Sequence, residues 1–152
     1  MGINFKFNRI LSYLIDGLVM FILMAAIVVA PATIFIRDLI NDSFNTNEFL
    51  WLAFSIFASF CVWIIYLVVS EIIFKNATLG MRLNHLTFRR INDLEMSINT
   101  LIFRATFFVI TLVFTCGLSV IFDILSMIIT ENGKTFHDVY SYVKVVPTND
   151  LY

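Results

Sequence analysis

Charge is scarce in this chain. Only 14% of its 152 residues are charged, while 60% are hydrophobic. A soluble domain usually carries about a quarter charged residues and about half apolar ones. A small domain leaves much of its surface in water, so an apolar excess of this size cannot all be buried in its own core. The composition excludes an ordinary soluble fold and makes the lipid bilayer the expected partner. With a net charge of −1, the chain has no basic field, which excludes nucleic acid as a partner. Cysteine is also rare. Cys61 and Cys116 both lie in apolar runs and are expected to behave as small buried hydrophobes. A disulfide framework or a zinc site needs more cysteines, or Cys and His at ligand spacing. No metal and no cofactor is therefore expected. Repeats and low-complexity stretches are absent too.

Long apolar runs are abundant. They cover Ile10 to Ile36, Phe49 to Phe74 and Leu101 to Thr130. A spanning helix needs about 20 apolar residues to cross about 30 Å of hydrocarbon, and each run is long enough. Trp51, Trp63 and Tyr66 sit toward the ends of the second run, where aromatic residues often anchor at the headgroups. The first run invites a rival reading as a signal peptide, with Lys6 and Arg9 before it and Ala30-Pro31-Ala32 as a cleavage-like site. It exceeds the roughly 7–15 residues of a signal core and contains a carboxylate, Asp16, so a spanning helix is the better reading.

The loops differ in charge. Arg37 to Glu48 carries Asp38, Asp42 and Glu48, whereas Lys75 to Asn99 carries Lys75, Arg82, Arg89 and Arg90. The positive-inside rule places the N-terminus and the loop over residues 75–100 in the cytoplasm, and the first loop outside. Arg82 to Phe88 and Val139 to Val146 read as strands.

The third run spans about 45 Å as one helix, which is long for a single crossing. A break at Cys116-Gly117 would make it a hairpin and return the chain to the inner side, since glycine permits such a turn. The charges favour this. In one straight helix Asp123 lies about 28 Å beyond Arg104, but in a hairpin it returns to the depth of Arg104. The chain is thus expected to be a small all-α membrane bundle of three spanning segments, or four with the hairpin, with a short cytoplasmic β-pair.

The intramembrane charges are the candidate site, because an ionisable residue within a membrane segment is costly and marks function or a named partner. Arg9 and Asp16 are seven positions apart and share one helical stripe, Arg9 at the water boundary and Asp16 deeper. Arg104 is the expected partner of Asp16, with Asp123 as competitor. Glu71 precedes Lys75 by four residues and reads as a solvated helix end with a local pair. Asp16, Glu71, Arg104 and Asp123, with Arg9 at their rim, leave a surplus of one carboxylate. A buried surplus must bind a cation or take a proton, which gives cation or proton transport a physical basis. The same charges could equally fix helix packing. His137-Asp138 follows a glycine turn at Asn132-Gly133-Lys134. Adjacent side chains seldom face each other and no nucleophile stands at readable spacing, so Asp138 reads as a cap and the chain as no enzyme.

These residues resemble the RDD family of membrane proteins, named for one Arg and two Asp. Arg9-Ile-Leu-Ser-Tyr-Leu-Ile-Asp16 is similar to its N-terminal signature. Thr78-Leu79-Gly80-Met81-Arg82-Leu83 resembles its Gly-x-Thr-x-Gly-Lys-Arg-Leu loop, and Thr135-Phe136-His137-Asp138 its second Asp, before a Val-rich close. Arg104, Glu71 and Asp123 stand where members often carry the same charges. The departures are Asn76 and Met81 in the loop, and Ser141-Tyr142-Val143 where Ala-Gly-Thr is usual. The resemblance implies a single RDD-like domain over residues 1–152, with the Thr78 loop and the Val139 tail as neighbours. It also implies a transport-linked role with an unknown ligand, the alternative being an accessory subunit. So few helices enclose little alone, so a homo-oligomer or a larger membrane complex is expected.

Overall fold

The computed structural model describes residues 3–41, 43, 45–91, 96–130 and 133–148. Asp42 and Asn132 lie outside the described residues. Two long helices dominate, α1 (Ile3–Ile40) and α2 (Thr46–Ile73). Both are long and apolar enough to cross a membrane, yet only 6% and 22% of their most apolar stretches are buried. The core helix of a soluble protein would be mostly covered, and these are bare, so their apolar faces have lipid to meet.

Polar or small residues mark the covered stripes. On α1 the buried positions are Phe5, Arg9, Ser12, Asp16 and Met20, one per turn. On α2 they include Ser55, Ser59, Trp63, Leu67, Ser70 and Glu71. Serines let the two helix backbones approach, and each bonds back to a carbonyl three residues earlier. A short helix, α3 (Leu79–Leu83), follows with Thr78 as N-cap, and then β1 (Leu86–Arg90).

The third apolar run breaks where the glycine predicts. It forms α4 (Ile98–Phe114) and α5 (Leu118–Ile129). Cys116 and Gly117 between them have φ of 50° and 87°, the left-handed values that close a turn. The Lys6 amine donates to the Ile128 carbonyl at 2.8 Å, which ties the last turn of α5 to the first turn of α1. The run is therefore a hairpin of two helices, both shorter than α1 and α2. The last described elements are α6 (Phe136–Tyr140) and β2 (Val143–Pro147).

The β-pair forms, but displaced from its expected place. β1 and β2 run antiparallel, with Leu86 opposite Pro147 and Arg90 opposite Val143. Arg82 and Leu83 belong to α3 and Val139 to α6, because Thr78 and Thr135 cap helices there. The strands therefore begin about one helical turn later than propensity alone indicates. A small core of Phe5, Met81, Leu86, Phe88, Val143 and Val145 seats the pair on the N-terminal end of α1. A second core of Met20, Trp63, Leu67, Ala105, Phe108 and Val109 joins α1, α2 and α4.

The expectations for four single residues change. Cys61 and Cys116 are exposed, because apolar runs here face outward. Trp63 is no headgroup anchor; it is buried and donates its indole N–H to the Met20 carbonyl at 2.7 Å. Tyr66 likewise turns inward, and only Trp51 stays exposed.

Candidate functional site

Two adjoining clusters form where α1, α2, α4 and α5 meet the β-pair. In the first, Asp16 is held by α3. Its Oδ1 accepts the Gly80 backbone N–H at 2.9 Å and the Tyr66 hydroxyl at 2.9 Å. Its Oδ2 accepts the Thr78 hydroxyl, which in turn accepts the Met81 N–H as helix cap. The contact demands glycine at position 80, since a Cβ there would lie 2.1 Å from the Ser12 carbonyl oxygen.

The second cluster is centred on Asp138, whose oxygens are gripped separately. Oδ2 accepts Arg9 Nη2 at 2.8 Å and the Thr135 N–H at 3.2 Å, while Oδ1 accepts Arg104 Nε at 3.0 Å. Arg104 Nη1 donates to Glu71. Both guanidiniums also meet the buried Phe88 ring, Arg104 at 3.7 Å and Arg9 at 5.2 Å from its centroid. Such stacking adds about 2 kcal/mol when desolvated. Asp123 accepts the Tyr13 hydroxyl at 3.0 Å and the Phe136 N–H at 3.1 Å, and lies 3.3 Å from His137 Nδ1. Burial by itself would push the Asp138 carboxyl up, but Arg9 and Arg104 outweigh it and hold the group well below the usual carboxylate range.

Arg9, Asp16, Glu71, Arg104, Asp123 and Asp138 all come together and all are buried. Their pairing differs from the expected one. Arg104 goes neither to Asp16 nor to its competitor Asp123 but to Glu71 and Asp138, because α3 docks its own donors onto the Asp16 carboxylate. Glu71 does not pair with Lys75. The chain leaves α2 through left-handed Lys75 and Asn76, so Lys75 is off the helix face and Glu71 turns toward α4. Arg9 is not at a water boundary, since α6 and β1 cover it. The surplus of negative charge is larger than expected: Asp138 joins the group, so two guanidiniums face four carboxylates, with His137 counted neutral.

Asp138 is a cap, as expected, completing a reciprocal capping box with Thr135. It is also the joint between the two arginines, which spacing could not reveal. Tyr13, Tyr66 and Phe88 are members of the site missed from sequence. Tyr13 was within reach of inference, lying four residues after Arg9 on the same α1 face; Tyr66 and Phe88 are distant in the chain and carry no such signal.

Beside the clusters lies a cavity of about 460 Å³. Arg9, Asp16, Thr78, Arg104 and His137 line one end of it, and Met20, Met24, Trp63, Leu67, Phe108 and Leu112 are among the residues lining the rest. Among the described residues no group of His, Cys, Asp and Glu is arranged to hold a metal ion.

No curated protein and no solved structure matches the chain. The model of the RDD family matches residues 6–142, a span that takes in Arg9, Asp16, Gly80, Arg104 and Asp138. The chain therefore belongs to the RDD family of membrane proteins.

Proposed function

We propose that this RDD membrane protein has a transport-linked role, serving a cation, a proton or a small ligand, with Asp16 as its intramembrane site. The observation that carries this reading is the position of Asp16 at the polar end of a cavity of about 460 Å³, beside a charge group with a surplus of carboxylates. A buried surplus of this kind is balanced by a bound cation or by a proton. Glu71 Oε2 is buried with no hydrogen-bond partner, a second acceptor for such a charge. In this reading the N-terminus and the loop over residues 75–100 face the cytoplasm of a cell membrane, and a conduction path is completed by further copies of the chain or by a larger complex.

One observation favours a second reading, an accessory subunit without transport. The Asp138 carboxylate is saturated by two arginines and a backbone N–H, as suits a group that fixes packing or a partner's docking. A packing carboxylate stays paired and dry, whereas a transport carboxylate titrates. Asp16→Asn separates the two readings when detergent stability and pH-dependent cation flux in proteoliposomes are both followed. Flux that disappears while stability holds supports transport. Absence of flux from the wild type, with lost stability in the variant, makes the charges structural.

A further inference from the structure

We propose that the cavity between α1, α2, α4 and α5 holds one single-chain amphipathic lipid with a neutral, hydrogen-bonding head. This goes beyond the transport reading and needs no flux to be true.

The cavity is open on its α1 side, and its volume of about 460 Å³ is within the roughly 300–1,000 Å³ of ligand pockets. Water is a poor occupant of most of it, since a buried water needs two to four polar partners. Met20, Met24, Leu67, Phe108 and Leu112 offer none, and Trp63 has already given its N–H to Met20. An apolar molecule alone would satisfy that part and waste the other, where Arg9, Asp16, Thr78 and Arg104 converge. The lining is therefore matched by a molecule with one apolar and one polar end.

Its route of entry is the bilayer. Leu14, Leu18 and Phe21, on successive turns of α1, line the cavity and are themselves exposed, so the wall opens onto the face that lipid covers. Gly17 lies on the same wall. A Cβ at Gly17 would meet nothing within 4 Å, so no neighbour requires glycine there, although glycine weakens a helix interior. What its missing side chain does is leave the space open.

The head is assigned from the polar end. Arg9, Asp16, Thr78 and Arg104 bring both hydrogen-bond donors and a carboxylate acceptor to this end. An anionic head would add charge to a group already in carboxylate surplus, and a cationic one would sit against two guanidiniums. A hydroxyl-bearing neutral head suits such a mixed lining, since one hydroxyl both accepts from a guanidinium and donates to a carboxylate.

The test is native mass spectrometry of the full chain released from detergent, with monooleoylglycerol as probe. The expected result is one bound lipid per chain in the wild type and in Gly17→Ala, and binding at least about tenfold weaker in Gly17→Trp. Thermal unfolding in detergent reports whether Gly17→Trp remains folded; if it does not, Val120→Trp on the α5 wall replaces it. Equal binding by wild type and the folded, filled variant overturns the site. Oleoyl lysophosphatidylglycerol binding as tightly as monooleoylglycerol overturns the neutral head, and a plain alkane binding equally well overturns the polar end. A wild-type dimer that carries no lipid and falls apart in Gly17→Trp assigns the cavity to a second copy and overturns the proposal.

Discussion

Arg9 and Arg104 hold opposite oxygens of one carboxylate, that of Asp138, at 2.8 and 3.0 Å, and both guanidiniums lie against the Phe88 ring. One arginine comes from the first helix and the other from the hairpin, so Asp138 joins the two halves of the bundle through the tail. Removing Asp138 leaves Arg9 without a carboxylate, and removing Arg104 leaves Glu71 without a partner; the cost of such an unpaired buried charge exceeds the net gain of making the pair.

Arg104 is the most exposed to this effect, since it serves Glu71 and Asp138 together. Arg104→Ala is expected to cost about 3–5 kcal/mol, the usual penalty for breaking a buried pair. Arg104→Lys should recover little of it, because an ammonium lacks the planar fork that reaches two acids and stacks on Phe88. Thermal unfolding in detergent measures both; a lysine variant as stable as the wild type contradicts the bridging geometry.

Gly80→Ala tests the docking of α3. A Cβ placed 2.1 Å from the Ser12 carbonyl forces α3 away from α1 and breaks the Gly80 N–H bond to Asp16. Overpacking of this kind costs about 1–3 kcal/mol. Proteolysis of the loop around α3 should speed up, and Thr78→Val, which removes the other α3 donor to Asp16, should do the same. Unchanged cleavage in Gly80→Ala would show that α3 is not locked onto the helix.

Acid should loosen the tail. The Asp138 carboxyl is held low in the folded chain, so its contribution to stability is fully present above the ordinary unfolded value of about 4. It is lost as pH falls from there through the folded value, because the unfolded chain then binds the proton first. Between pH 5 and 8 this group contributes no slope. Detergent stability followed from pH 8 down to pH 3 should fall on the acid side, and Asp138→Asn should start lower and lose part of that fall. An acid limb as steep in the variant as in the wild type would assign it to other carboxylates.

Gly17→Ala is expected to raise stability by about 0.5–1 kcal/mol, the helix penalty of glycine, since the added methyl meets nothing within 4 Å. Chemical unfolding in mixed micelles reads this directly. A destabilised variant would mean that the α1 wall is closed at that point.

The membrane character was legible because it is a matter of amounts and run lengths. So were the hairpin, since Cys116-Gly117 interrupts an overlong run, and the stripe joining Arg9 to Asp16, since helical periodicity places both on one face. The strand positions were legible only approximately, because Thr78 and Thr135 cap short helices that take the first residues of each β-like patch.

The partners of each charge were decided by tertiary structure alone. Asp16, Glu71, Arg104 and Asp123 announce themselves in the sequence as charges that need neutralising, and Coulomb attraction favours any of several pairings. Which pairing wins depends on where α3, α4 and the tail come to rest. Gly80 lets α3 close onto Ser12, so Asp16 is satisfied by backbone and hydroxyl donors, and Arg104 is left to Glu71 and Asp138. Composition and period determine which residues leave water for the membrane; only the folded chain, by bringing donors within 3 Å, determines which of them meet.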